Sequence, residues 1–215
     1  GFNLGTQAHP YYELKYALEA AGDGDTVILL KGHHSFSTSG SASISAESLT
    51  IQTLLCVAQS HPQCADYPAT VWVTHPSHTF NSPQTALRIK DLYFSGLEDC
   101  GYNCDAFHSS IFIRVGSLEL ERVSFWFMRQ EFKSLITGDC GQVSLTDTHF
   151  DNTLTHYDPS SAVIYLACSS GESGFSFNGG SVTYLNNGKV FNSEATLNSF
   201  VVLNNVKVVS VKGVK

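Results

Sequence analysis

Leu118-Glu119-Leu120-Glu121-Arg122-Val123-Ser124-Phe125 places apolar residues at its first, third, sixth and eighth positions. With Leu118 counted as zero, Leu118, Leu120, Val123 and Phe125 occupy positions zero, two, five and seven. The same template fits Leu87, Ile89, Leu92, Phe94; Val143, Leu145, Thr148, Phe150; Phe175, Phe177, Gly180, Val182; and Val201, Leu203, Val206, Val208. An earlier copy is Leu49, Ile51, Leu54, Cys56. Side chains alternate along a strand, so positions zero and two face one way. The extra residue before position five predicts a bend after which the inward face resumes.

The six copies begin at 49, 87, 118, 143, 175 and 201, in steps of 38, 31, 25, 32 and 26 residues. Such a period is too short for a propeller blade or a βαβ unit. It suits one turn of a parallel β-helix, in which stacked coils bury a common core. Leucine-rich repeats share the length but bring a recurrent Asn after LxxLxL, which this sequence lacks. A β-sandwich whose strands meet a permissive template is the alternative.

The 215 residues support one domain, 1–215, and 42% hydrophobic residues are enough to fill its core. Only 14% of residues are charged, so Ser, Thr, Asn, Gly and Gln must furnish the surface. Twelve basic against nineteen acidic residues give a net charge of −7, and no run of Lys or Arg exists before the scattered Lys207, Lys212 and Lys215. Nucleic acid is therefore not an expected partner.

Cys56, Cys64, Cys100, Cys104, Cys140 and Cys168 are an even number. Spacing makes Cys56–Cys64, Cys100–Cys104 and Cys140–Cys168 the first choice among about fifteen connectivities. The first two close small loops and the third staples neighbouring coils. An oxidising compartment follows, and with it a secreted or cell-surface location. A zinc site on Cys100, Cys104 and His108 lacks a fourth ligand, so no metal is expected there. The opening GFNLGTQAHP has no positive flank followed by an apolar run, and no stretch approaches the length of a membrane span. The final SVKGVK ends on an apolar rung without a cap, which leads us to expect a longer β-helical protein around this chain.

Residues 11–21, YYELKYALEAA, put Leu14, Ala17, Leu18 and Ala21 on one helical face. Gly22-Asp23-Gly24-Asp25 stops the helix, and Thr26–Leu30 follows as a buried strand. The helix is expected to cap the open end of the first coil, ahead of rungs spanning 49–208. Second strands are expected at 70–73, 110–115, 135–137 and 162–167. Amphipathic helix, Gly-Asp turn, buried strand and Lys31-Gly32 turn together resemble the opening of pectate-lyase-like right-handed parallel β-helix proteins. The resemblance implies an all-β, right-handed solenoid with an N-terminal capping helix. That superfamily holds lyases, hydrolases, esterases, phage tail proteins and surface passengers, so it implies no single activity.

Outward positions one and three on successive rungs are Thr50/Gln52, Arg88/Lys90, Glu119/Glu121, Ser144/Thr146, Ser176/Asn178 and Val202/Asn204. Stacking sets Arg88 against Glu119 and Lys90 against Glu121, two opposite-charge pairs that fix register. Under a lyase reading the same four residues, Arg88, Lys90, Glu119 and Glu121, are the catalytic candidates. The resemblance then implies calcium, for which the neighbouring Ser144 and Thr146 leave the carboxylate set incomplete. Leu87-Arg88-Ile89-Lys90 has the Arg-Ile-Lys of polygalacturonases, but without their preceding aspartates or Gly-His-Gly.

Asp147, His149, Asp151, His156 and Asp158 form the densest acid–histidine group, read first as a solvated loop and second as a site for acid–base work. Trp126 is expected to point outward near Glu121 and Arg129, where it offers a ring to a sugar or a protein. The expected binding residues are thus Trp126, Arg129, Asp147, His149, His156 and Asp158. The favoured reading is a non-catalytic adhesion module, without a cofactor, that binds a cell-surface glycan or protein. A lyase or hydrolase acting on an acidic polysaccharide is the alternative.

Overall fold

A computed structural model describes residues 10–11, 13–36, 41–56, 64–73, 78–96, 111–126, 129–130, 134–139, 141–151, 154–155, 163–168, 173–183 and 200–215. Among them one helix, α1 (Leu14–Ala20), precedes strands β1 (Asp25–Leu29), β2 (His33–Phe36), β3 (Ser41–Ala42), β4 (Ser48–Thr53) and β5 (Ala69–Val73). The long strands β6 (His78–Ser95) and β7 (Ile111–Trp126) follow, then β8 (Arg129–Gln130), β9 (Ile136–Asp139) and β10 (Gln142–Asp151). The remainder are β11 (Leu154–Thr155), β12 (Ile164–Ala167), β13 (Gly174–Thr183), β14 (Val201–Asn204) and β15 (Lys207–Lys212). The protein is all-β with parallel pairing throughout the described ladders.

Three ladders organise these strands. The first runs β1-β4-β6-β7-β10-β13-β15, and its register sets Leu49, Leu87, Leu118, Val143 and Phe175 in one row. The second joins β2 and β5 to the later halves of β6, β7, β10 and β13. The third joins β3, the early parts of β6 and β7, and then β9, β12 and β14. The strands expected near 70–73, 110–115, 135–137 and 162–167 are the β5, β7, β9 and β12 members of the second and third ladders.

The predicted bend is a left-handed residue at position four: Asp91, Arg122 and Asp147 have φ of 51°, 53° and 47°, and Gly179 has 75°, followed there by Gly180 at 92°. Asp and Gly enter this region at little cost, whereas Arg does not. One predicted copy is misplaced. Val201 does not continue the row of Phe175; it pairs with Ile164 on the third ladder, and Phe175 pairs with Val208. The outward pair of the last rung is therefore Ser210 and Lys212, partners of Ser176 and Asn178, and not Val202 and Asn204. The bend of that rung falls at Gly213, φ 65°, while the left-handed Asn205 turns a different corner.

Residues from all three ladders meet in one apolar cluster. Alternation sends Leu120, Phe125 and Ile113 inward, each with no exposed surface, and row-mates such as Ile89, Phe94 and Phe80 are equally buried. Phe94 stacks on Phe125 at 5.2 Å, and Phe125 on Phe150 at the same distance. Helix α1 is shorter than the predicted 11–21, because Glu13 and Ala21 are both extended. It buries Leu14 and Leu18 and packs against β2 and β3.

The first copy departs from the template. Thr53 sits at position four without a left-handed bend; its hydroxyl donates to the Asp91 carbonyl and accepts the Ala69 N–H at 2.8 Å. The chain then makes an excursion closed by the Cys56–Cys64 disulfide, at whose base Cys56 N–H donates to Ala65. Closing a loop of this length removes about 2 to 3 kcal/mol of unfolded-chain entropy. Cys168 is also disulfide-bonded, to a partner outside the described residues; Cys100, Cys104 and Cys140, on which the other two expected pairings rest, lie outside the described residues. No helix among the described residues is long and apolar enough to cross a membrane.

Candidate functional site

Two outward surfaces carry the candidate residues. On the first ladder, Arg88 lies 2.8 Å from Glu119 and 3.4 Å from Glu121, and Lys90 lies 3.1 Å from Glu121. Both pairs expected from the stacking of positions one and three are present. Sequence reasoning missed a third. Arg122, at the bend, forks onto Asp91 of the preceding repeat, Nε to Oδ1 at 2.6 Å and Nη2 to Oδ2 at 3.0 Å, and also pairs with Glu121. The signal was available, since position four stacks over position four and sets Arg122 directly over Asp91. The bidentate contact offsets the roughly 1 to 2 kcal/mol that a left-handed non-glycine residue costs.

Three cations, Arg88, Lys90 and Arg122, thus meet three anions, Asp91, Glu119 and Glu121, and the patch is neutral within itself. Hydrogen bonds from Arg122 and then Lys90 hold the Glu121 carboxyl below the usual carboxylate range, and Arg122 is held firmly protonated by Asp91 and Glu121. A depressed carboxylate stabilises the fold above its unfolded pKa of about 4.3, and that contribution is lost as pH falls through the lower folded value. Glu121→Gln should therefore lower stability by about 1 kcal/mol near neutrality. The gap in melting temperature between parent and variant should close as the pH approaches 3. A gap independent of pH would remove the carboxylate from the account. Beside the patch, a groove of about 450 Å³ is lined by Ser48, Thr50, Arg88, Glu119, Gln142 and Ser144.

The second ladder presents two outward rows, opposite Phe94 and Phe125. One is Thr70, Tyr93, Ser124, His149, Ser181; the other is Trp72, Ser95, Trp126, Asp151, Thr183. Trp72 carries His33 stacked at 4.5 Å, and Trp126 lies 6.2 Å from Tyr93. Trp126 is half-buried, as is His149, whose Nδ1 is 2.9 Å from the Ser181 hydroxyl. Burial, then the charge of Asp151, raises the Tyr93 pKa and keeps its phenol protonated.

Of the expected binding residues, the fold brings Trp126 and His149 onto this one face. Comparison of the chain with protein-family models, curated proteins and solved structures finds no match. Asp147 is not beside His149 on a strand face, because its left-handed φ turns it to the exposed corner. The partner of His149 on that face is Asp151, two residues on. Arg129 is placed only as backbone, in β8, and His156 and Asp158 lie outside the described residues. Among the described residues no group of three or more His, Cys, Asp or Glu is arranged to hold a metal ion. Trp72 and Tyr93 were not singled out from sequence, and His33, read there as a loop-surface residue, lies in strand β2; the register of β2 under β5 and of β5 under β6 brings the three onto the face of Trp126.

Proposed function

We propose that the protein is a non-catalytic, secreted or cell-surface binding module whose three ladders are the faces of one right-handed parallel β-helix. The repeated order of third, first and second ladder around a shared core supports the helix, and parallel connections are right-handed in the great majority of folds. The observation that carries the binding reading is the group of rings His33, Trp72, Tyr93 and Trp126, spread over the two outward rows among the hydroxyls of Thr70, Ser124 and Ser181. Rings flanked by hydroxyl and imidazole groups suit a glycan, whose sugar faces are apolar and whose rims are polar. The lyase alternative needs a cation free to act as base and carboxylates free for calcium. Arg88, Lys90, Glu119 and Glu121 instead neutralise one another.

A glycan array probed with the purified protein is the direct test, followed by titration of the best glycan against Trp126→Ala and Trp72→Ala. Each substitution should weaken binding at least tenfold, the loss of one well-packed aromatic contact. Breakdown of an acidic polysaccharide by the parent, abolished in Arg88→Ala with its melting temperature unchanged, would replace this reading with the enzymatic one.

A further inference from the structure

The second ladder carries one ring on each of five successive strands. β2, β5, β6, β7 and β10 pair in that order, and their register threads two outward rows. One row holds His33, Thr70, Tyr93, Ser124 and His149; the other holds Trp72, Ser95, Trp126 and Asp151. The rings His33, Trp72, Tyr93, Trp126 and His149 therefore fall on alternate rows, strand by strand. A small hydroxyl residue stands beside each of the three central rings on its own strand: Thr70 beside Trp72, Ser95 beside Tyr93 and Ser124 beside Trp126.

Adjacent strands lie about 4.8 Å apart, so the pattern advances by that distance per ring and returns to the same row after about 10 Å. A chain of β-1,4-linked sugars has the same symmetry. Equatorial bonds at both ends of each sugar keep the chain extended, turn each sugar over relative to the last, and advance it by close to one strand spacing. α-1,4 and β-1,3 linkages curl the chain and lose the match. Charge narrows the class further. The nine residues of the two rows from β2 to β10 include no Lys or Arg, and Asp151 is among them. A glycan rich in carboxylates or sulfates would meet Asp151 there without a lysine or arginine to pair with.

We propose that the ligand is a neutral, extended β-1,4-linked glycan that crosses the strands at right angles, one sugar per strand from β2 to β10, an assignment that rests on the glycan-binding reading above. Successive sugars turn their apolar faces to alternate sides, where the rings alternate, and their hydroxyl edges toward Thr70 and Ser124. The backbone register fixes the spacing of the rings before any ligand arrives, so a chain of matching repeat binds without reordering the face.

The test is calorimetric titration of the parent with β-1,4-linked oligosaccharides of glucose, N-acetylglucosamine, xylose and mannose, from two sugars to seven. α-1,4-glucan, β-1,3-glucan and polygalacturonate oligomers of the same lengths are the comparison. One neutral β-1,4 series should bind, with affinity climbing about tenfold or more from the trisaccharide to the pentasaccharide as two further rings are engaged, and levelling off beyond five sugars. His149→Ala removes the last ring; with a melting curve to establish that it is folded, it should bring the plateau down to four sugars and leave trisaccharide affinity unchanged. Tightest binding to a curled or an acidic glycan, or affinity independent of length, overturns this assignment while the binding reading stands, provided that Trp126→Ala still weakens the complex. A plateau that stays at five sugars in His149→Ala also overturns it. A parent that binds none of the series on the array or in the calorimeter overturns both.

Discussion

Gly180→Val should lower stability by about 3 kcal/mol or more, although valine is what the repeat template asks for at that inward position. Gly180 pairs with Thr148 in a row with Leu92 and Val123, yet its φ is 92° and a Cβ there would stand 1.9 Å from the Thr148 carbonyl oxygen. Backbone cannot withdraw as a flexible side chain can. Left-handed strain of roughly 1 to 2 kcal/mol adds to overpacking of about 1 to 3 kcal/mol. Urea unfolding of the Ala and Val variants measures both. A cost below 1 kcal/mol for Gly180→Ala would mean that the two repeats are not in this close approach.

Phe125→Ala should cost about 3 to 5 kcal/mol, the usual range for emptying a fully buried aromatic site. Phe125 has no exposed surface and is stacked on both sides, by Phe94 and Phe150, so the cavity opens in two repeats at once. Phe200, only partly buried and edge-on to Phe150 at 5.0 Å, is the control: its alanine variant should lose less than half as much. Equal losses at the two sites would contradict the continuous Phe stack.

Much of this was legible from residues alone. The rows Leu87-Leu118-Val143 and Ile89-Leu120-Leu145 follow from a period-two pattern interrupted once, and the charge pairs follow from those rows. The copy at Val201 was misassigned for a physical reason. Any two short strands joined by a left-handed corner satisfy zero, two, five and seven, and Asn205 makes such a corner between the third and first ladders, where Asp91 and Asp147 make theirs between the first and second. The pattern reports a bend without saying which one. Thr53 fails in the opposite way, occupying position four while hydroxyl bonds and a disulfide-closed excursion take over the corner. On the candidate site, Trp126 was visible as an aromatic beyond core needs. Its companionship with Trp72 and His33 was not, because those two reach that face through strands outside the template, β5 and β2.

Among the described residues, each strand of the first ladder pairs within that ladder with the repeats immediately before and after it, and partners in register are separated by similar stretches of chain, from 24 residues between Asp25 and Leu49 to 38 between Leu49 and Leu87. Cooperativity in such a molecule is a nearest-neighbour property. Opening is expected to start where strands have one neighbour among the described residues, as β1, β14 and β15 do, and to advance one repeat at a time toward β7. An injury to one repeat is felt by two others and screened from the rest. The same independence lets a lineage lengthen or shorten the stack by whole repeats while every surviving interior contact keeps its old partner.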